Sequence, residues 1–495
     1  MAFNLAPFTD TTLSPQALEI ILAEHERDVA PRLRWLWGYF RNEPTRPGGE
    51  LPQAAGLPPR LRGAWDPWSD DRMVDAAASE VVIENDIAWR INTMVDFMLP
   101  EPLVLLSKAG RPEQRRTIEA ALDAVWEASG GLSLLHDALL LGHVYGHVDL
   151  LLRCDVERLT ALAPDLDTLL ELPGEVLAEA IRVEAIDPTR GVPVVDAGDY
   201  RRLEAYAIDF TRRTSQADED DRHGRTLDTE RVTEILSGAW RQVYVDGELV
   251  AEGPNRASPG RVPVVHVQNI PQPLCYAGVG EVEPLVPLQD ELNTRLSDRA
   301  ARVTMQSFKM YLAKGIEGFD QVRIGPGRVL STDNPDAQVT AFGGDADSPS
   351  ETLHVEDIRE AMDKTSGVPP IAAGVVRAKI GSLSSGNALR ITMLGLLSKT
   401  RRKRVGYGAG VARMSALILE ALDRAGTHAT EPQDRGVTVH WPDAIDLDQD
   451  ERLLNAERKT ELGIDRERVL AELGYAQPPT NRNGSAASQT ENTNA

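Results

Sequence analysis

Apolar positions repeat at helical spacing early in the chain. Leu18, Ile21 and Leu22 follow Ser14, which can cap a helix, and Pro15, which suits the first helical turn, so a helix is predicted within 12–40. The pattern then lapses. Residues 41–68 hold six Pro and four Gly around Trp65 and Trp68, as in a long irregular surface connection. From about 71 to 99, Val82, Ile83, Ile87, Ile91 and Val95 restore the helical period until Pro100 and Pro102 stop it. Residues 103–106 read as a buried strand, and helices are expected at about 112–128 and 132–142. Alternation takes over in 145–275, with strands expected at 148–153, 203–209 and 262–267. A hairpin is expected in 242–250, where Asp246-Gly247 supplies the turn.

After Pro287 the spacing is helical again. Leu288, Leu292, Leu296, Ala300 and Val303 define one helix of roughly 30 Å, with Arg295, Asp298, Arg299 and Arg302 on the other face. A small β-rich insert follows at about 308–345. Ser348, Pro349 and Glu351 then form a capping box for a second helix, which Gly367 and Pro369-Pro370 terminate. Two helices thus flank a compact insert. A Ser/Gly-rich loop at 375–387 leads into a helical pattern over 388–424, about 55 Å long, with a kink expected at Gly406, Gly408 and Gly410. A short strand at 437–441 and two helical segments run to Tyr475. The remaining tail has no core-forming residues and reads as disordered. The mixture of elements predicts an α+β fold.

Composition narrows the function. The 495 residues allow about three domains or one multi-lobed body, and 42% apolar with 26% charged residues is ordinary for a globular chain. Two cysteines exclude a disulfide scaffold and suit a reducing cytoplasm. No apolar run reaches 18 residues, so no membrane span is expected, and the N-terminus carries no secretory signal pattern. With 53 Lys+Arg against 76 Asp+Glu the net charge is −23. A chain that grips a phosphate backbone is basic at least locally, so any DNA role is a loose passage or uses a small basic patch. One such patch exists: Lys399, Arg401, Arg402, Lys403 and Arg404 crowd into six positions, near Arg377 and Lys379 in the preceding loop. A solvated helix face, a phosphate-contacting ring and a protein–protein contact are all compatible with it.

Catalytic signatures are missing. There is no G-x-x-x-x-G-K-[ST] and no G-x-S-x-G. His136, His143 and His147 could face one another on a helix as metal ligands, but Gly142 and Gly146 punctuate them and packing or turn roles are the better reading. Asp446, Asp448, Asp450 and Glu457 fit four positions of a calcium loop, yet Glu451 stands where the sharp turn needs Gly. The acidic loop 215–225 reads as solvated. No cofactor, metal or catalytic residue is assigned.

The order of the parts resembles the portal proteins of tailed bacteriophages. The stretches that carry the likeness are NDIAWRINTMVDFMLPEPLVLL (85–106), IPQPLCYAGVGEVEPLVPLQDELNTRLSDRA (270–300), SGVPPIAAG followed by SGNALRITMLGLLSKTRRKR (385–404), and 441–475. The resemblance implies a ring, normally of twelve copies, at one capsid vertex, through which double-stranded DNA is packaged and ejected. It implies a wing over 1–285, stem helices at 286–305 and 349–367, a clip at 306–348 and a tunnel loop at 368–387. A long wing helix and connection at 388–440 and a closing wing and crown at 441–475 would complete the fold. Channel-facing candidates are then Arg377, Lys379, Ser382, Ser384, Ser385 and Asn387, and motor-docking candidates on the clip are Lys314, Arg323 and Arg328. Implied partners are further copies of the chain, the major capsid protein, the terminase large subunit, head-completion or adaptor proteins and a scaffolding protein. Assembly would occur in the host cytoplasm. Two other readings stand beside it: a different structural virion protein, such as a minor capsid or adaptor component, and a metal-dependent hydrolase built on the three histidines and the acids of 443–451.

Overall fold

A computed structural model describes residues 3–42, 82–213, 229–307, 310–314, 335–342, 349–373, 391–444 and 449–464, with positions 466, 469–470 and 473. The irregular connection from 43, the acidic loop and the C-terminal tail expected above lie outside these residues. So do Ser348, Asp446 and Asp448, and the whole candidate channel-facing set Arg377, Lys379, Ser382, Ser384, Ser385 and Asn387, together with Arg323 and Arg328.

The chain opens with α1 (Pro15–Glu24), a π-helical turn (His25–Val29) and α2 (Ala30–Arg41). Ser14 caps α1 by accepting from the Ala17 N–H, with Pro15 at the first helical position as expected. Next come α3 (Asp86–Met98), β1 (Val104–Ser107), α4 (Pro112–Ala128) and α5 (Gly131–Tyr145). The helix expected from about 71 does not include 82–85. Those residues run along a later helix, where Ser297, Asn293 and Gln289 accept from the backbone N–H groups of Val82, Glu84 and Asp86. Side chains four residues apart lie on one helix face, so this ladder satisfies an extended strand without a sheet.

Two sheets follow. One is three-stranded and antiparallel, ordered β3-β2-β9, from β2 (His147–Cys154), β3 (Ile181–Ile186) and β9 (Val264–Gln268). Short helices α6 (Val156–Leu162), α7 (Leu166–Glu171) and α8 (Gly174–Ala180) connect its first pair. The other is a five-stranded meander of β4 (Gly191–Val195), β5 (Leu203–Arg213), β6 (Thr229–Ser237), β7 (Trp240–Val245) and β8 (Glu248–Pro254). Asp246 and Gly247, both at positive φ, make the turn between β7 and β8. Phe3, Leu5 and Phe8 close one face of the meander with Leu18 and Leu22.

The C-terminal part holds α9 (Val286–Ser307), β10 (Met310–Lys314), β11 (Gln338–Phe342) and α10 (Pro349–Ser366). It ends with α11 (Leu394–Arg424), β12 (Val437–His440) and α12 (Gln449–Glu461). β1 and β12 pair antiparallel, uniting segments more than 300 residues apart. The main core lies between α3, α4, α5, α11 and the three-stranded sheet, with Met414, Ile418 and Leu422 of α11 fully buried. By length and composition α11 could cross a membrane, but 67% of its most apolar window is buried in this core, which is why an apolar helix is stable here.

Gly406, Gly408 and Gly410, where the sequence predicts a kink, all lie within α11. The helix is assigned without a break through them; Gly406 and Gly410 let α11 lie close on β9, and Gly408 faces Trp441 and Val439. A Cβ on Gly410 would come within 2.3 Å of the Val267 side chain, and one on Gly406 within 3.4 Å of the Gln268 carbonyl.

Candidate functional site

The features that bear on function gather where α9, α10 and the root of α11 meet. α9 and α10 lie side by side and antiparallel. Arg302 pairs with Glu351 near one end, and His354 Nε2 sits 3.4 Å from Glu291 further along. Val355, Ile358 and Met362 of α10 are buried with Leu292 of α9 in a second core cluster shared with α2 and α3. Between the two rods the chain forms an antiparallel β10–β11 pair, from Met310 opposite Phe342 to Lys314 opposite Gln338. Lys314 is exposed at the end of that ribbon. Gly367, at φ +72°, ends α10 as a left-handed cap.

A buried arginine anchors these rods to the body. Arg90 is fully buried on α3, 3.0 Å from Asp86 and 2.5 Å from Asp363 near the end of α10, and its guanidinium stacks over Trp89 at 4.2 Å. Sequence reasoning did not single it out. The signal was a charge on the apolar stripe between Ile87 and Met94, with an acid four residues earlier.

The basic run divides by helical phase. Lys399 and Lys403, four apart, face inward and share one carboxylate: each ammonium lies 2.5 Å from Glu281, which precedes the 3-10 turn leading into α9. Lys399 also donates to the Ser366 carbonyl at the end of α10 (2.8 Å). Burial pushes the Glu281 carboxyl up, but the two ammonium groups outweigh it and hold it below the usual carboxylate range. Burial moves Lys403 the other way, down to about 8. His143 lies against this pair, and burial reinforced by Lys403 lowers it to about 3. Lowered that far, the ring is neutral at pH 7, and its one proton sits on Nδ1, which donates to the Leu139 carbonyl (2.7 Å).

Arg404 donates to the carbonyls of Phe97, Met98 and Pro442 at 3.0, 2.9 and 2.7 Å and packs on Trp441. It satisfies orphan carbonyls at the end of α3, where a cation also suits the helix dipole. Three of the five basic side chains therefore work inside the protein, and the run is not one surface patch. Only Arg401 and Arg402 are exposed.

The three histidines do not converge. His136 Nε2 meets the Leu99 carbonyl at 2.9 Å, His143 belongs to the lysine junction, and His147 stands in β2 with burial lowering it to about 4. Among the described residues no group of three or more His, Cys, Asp or Glu side chains is arranged to hold a metal ion. A different cluster surrounds Asp149, which accepts from Tyr206 and Tyr276 at 2.8 Å each and from His266 Nδ1 at 2.7 Å. The other nitrogen, His266 Nε2, faces the Tyr276 carbonyl at 2.7 Å. The ring is thus held between the Asp149 carboxylate and the Tyr276 backbone. This cluster pins β2, β5 and β9 to the segment that leads into Glu281.

Two antiparallel rods thus bracket a two-stranded ribbon on an α+β body. The family model described as "Phage portal protein, SPP1 Gp6-like" matches residues 92–474. The chain belongs to that family and is a portal protein of a phage-like particle. Among solved structures, it is similar to a chain of the virion of a native gene transfer agent particle. That match has 12% identity and a TM-score of 0.41, covering 79% of this chain and 89% of the other. A chain from the neck of an empty gene transfer agent particle, computed with C6 symmetry, gives 13% identity and a TM-score of 0.43. It covers 79% of this chain and 90% of the other. No curated protein matches the chain.

Proposed function

We propose that copies of this chain close into a ring, normally of twelve in this family, at one vertex of a capsid, and that double-stranded DNA passes through it during packaging and ejection. The observation that carries this reading is the antiparallel α9–α10 pair with the β10–β11 ribbon between its ends, within a chain of the portal family. In this reading α9 and α10 are the stem. Residues 306–348 are the clip that docks the terminase large subunit and later the head-completion or adaptor proteins, with Lys314, Arg323 and Arg328 as contacts. Residues 368–387 are the tunnel loop, carrying Arg377 and Lys379 toward DNA. The wing is formed by 1–285 and 388–440, and 441–475 closes it. The major capsid protein and a scaffolding protein meet the outer face during assembly in the host cytoplasm.

The charge supports a passage over a clamp. A chain of net charge −23, repeated around a channel, disfavours lasting phosphate contacts, each of which would slow translocation. The test is the mass and shape of the purified assembly. A ring of about twelve 54.2 kDa chains with a central hole in negative stain is expected. A monomer or a compact dimer at micromolar concentration would overturn the ring.

A further inference from the structure

The ring reading does not say which faces meet, and two exposed helix stripes bear on it. On α11, Leu394, Ser398, Arg401 and Val405 follow the spacing i, i+4, i+7, i+11 and therefore share one face. Leu394 is 62% and Val405 74% exposed, and Arg402 borders them. On α10, Leu353, Asp357, Glu360 and Lys364 repeat the same spacing, with Leu353 59% exposed and Glu356 beside them. Both stripes are open to solvent, so neither covers the other within one chain. Arg401, Arg402, Glu356 and Asp357 have no ion-pair partner among the described residues, and Glu360 has only the exposed Lys364, at 2.8 Å. One stripe offers two guanidinium groups. The other offers three carboxylates against one ammonium.

We propose that the α11 stripe of one copy docks on the α10 stripe of the next. The proposal rests on the ring reading and names the contact that would build it. Each stripe has an apolar end and a charged middle, so leucine and valine are buried while the arginines meet Glu356 and Asp357. Because the two faces are unlike, each copy gives one and receives the other, a head-to-tail contact that closes when the rotation per copy divides the circle. The flanking leucine and valine favour a protein partner over a DNA backbone, which would have no use for them. Added salt weakens the contact, since its charged pairs sit near solvent.

The test uses four forms of the full chain: wild type, R401E/R402E, E356R/D357R, and all four changes combined. Their masses are read by native mass spectrometry, with circular-dichroism melts to check folding, which exposed sites leave unchanged. Each double variant is expected to lose ring at least tenfold, and the four-fold variant and an equimolar mixture of the two doubles to regain it. If wild type forms rings and both doubles form them equally well, the docking contact is wrong and the ring reading stands. If wild type forms no ring, the ring reading fails and this contact falls with it. If R401E/R402E leaves rings intact but loses bound duplex DNA, the arginines face DNA and the proposal is overturned.

Discussion

Glu281 serves two lysines at once, and the arithmetic of charge there is uneven. Two ammonium groups and one carboxylate leave a buried excess of positive charge, which is borne at Lys403. Removing the carboxylate strands both cations. Removing Lys403 leaves the Glu281–Lys399 pair complete. Glu281→Gln is therefore expected to cost about 3–5 kcal/mol and Lys403→Met less than about 1 kcal/mol, by urea unfolding of the full chain. The pH dependence follows from the lowered lysine. Lys403 ionises near 8 in the folded chain and near its ordinary value when unfolded, so between those limits the unfolded chain binds more protons. Stability from this group then rises with pH through that window, and its cost is fully present below it. The urea midpoint of wild type should gain on that of Lys403→Met from pH 8 to 10. Parallel curves for the two would remove Lys403 as the source. Glu281 has the same sign in an acid window: its stabilisation is present above the ordinary carboxylate value and is lost as pH falls through the lowered folded one.

At the scale of elements, glycines decide how closely helices approach. A Cβ on Gly142 of α5 would lie 1.8 Å from the Tyr407 hydroxyl and 3.0 Å from its ring carbon, so α5 and α11 meet only because that side chain is absent. Gly142→Ala is expected to destabilise by about 1–3 kcal/mol. Tyr407→Phe removes the nearest atom and should recover part of the loss in a double-mutant cycle. Gly253→Ala, with open space around the added methyl, should stay within about 0.5 kcal/mol. Strict additivity of the Gly142 and Tyr407 changes would show that the approach is not the constraint. At Gly146 the close contact is backbone to backbone: φ is +95° and an added Cβ would lie 2.5 Å from the Gly278 carbonyl oxygen. Substitution there should be harsher than at Gly142, because a carbonyl cannot rotate away.

For the whole molecule the governing quantity is charge around a passage. In the proposed ring, Arg377 and Lys379 touch and release the DNA backbone while the remaining surface repels it. Neutralising both should change DNA retention or packaging yield and leave ring mass unaltered. Rings lacking both charges that package and retain DNA normally would remove the loop from the mechanism. The alternatives from the sequence bear on different parts of the molecule. A metal-dependent hydrolase needs its ligands to converge, whereas His136 meets the Leu99 carbonyl, His143 the Leu139 carbonyl, and His147 packs on the rings of His266 and Tyr276.

What the sequence determined by itself was local. Ser14 with Pro15, Asp246-Gly247, and Gly367 before Pro369-Pro370 carry turn and cap chemistry that acts over three or four residues, so α1, the β7–β8 hairpin and the end of α10 were legible. The long periodic runs of α9 and α11 were legible for the same reason. Residues 82–85 were not, because apolar spacing continued into them while their backbone partners sit on α9, some 200 positions away. Strands β3, β4 and β6 went unread, although Asp187-Pro188 and Ser237-Gly238 punctuate their ends. The basic run was visible as charge, but which side chain goes inward depends on Glu281, Met98 and Pro442, residues remote in the chain. Tertiary packing alone decided that Lys399, Lys403 and Arg404 hold the protein together and that Arg401 and Arg402 remain on its surface. A helix of 3.6 residues per turn separates inward from outward positions, but only its neighbours say which direction is inward.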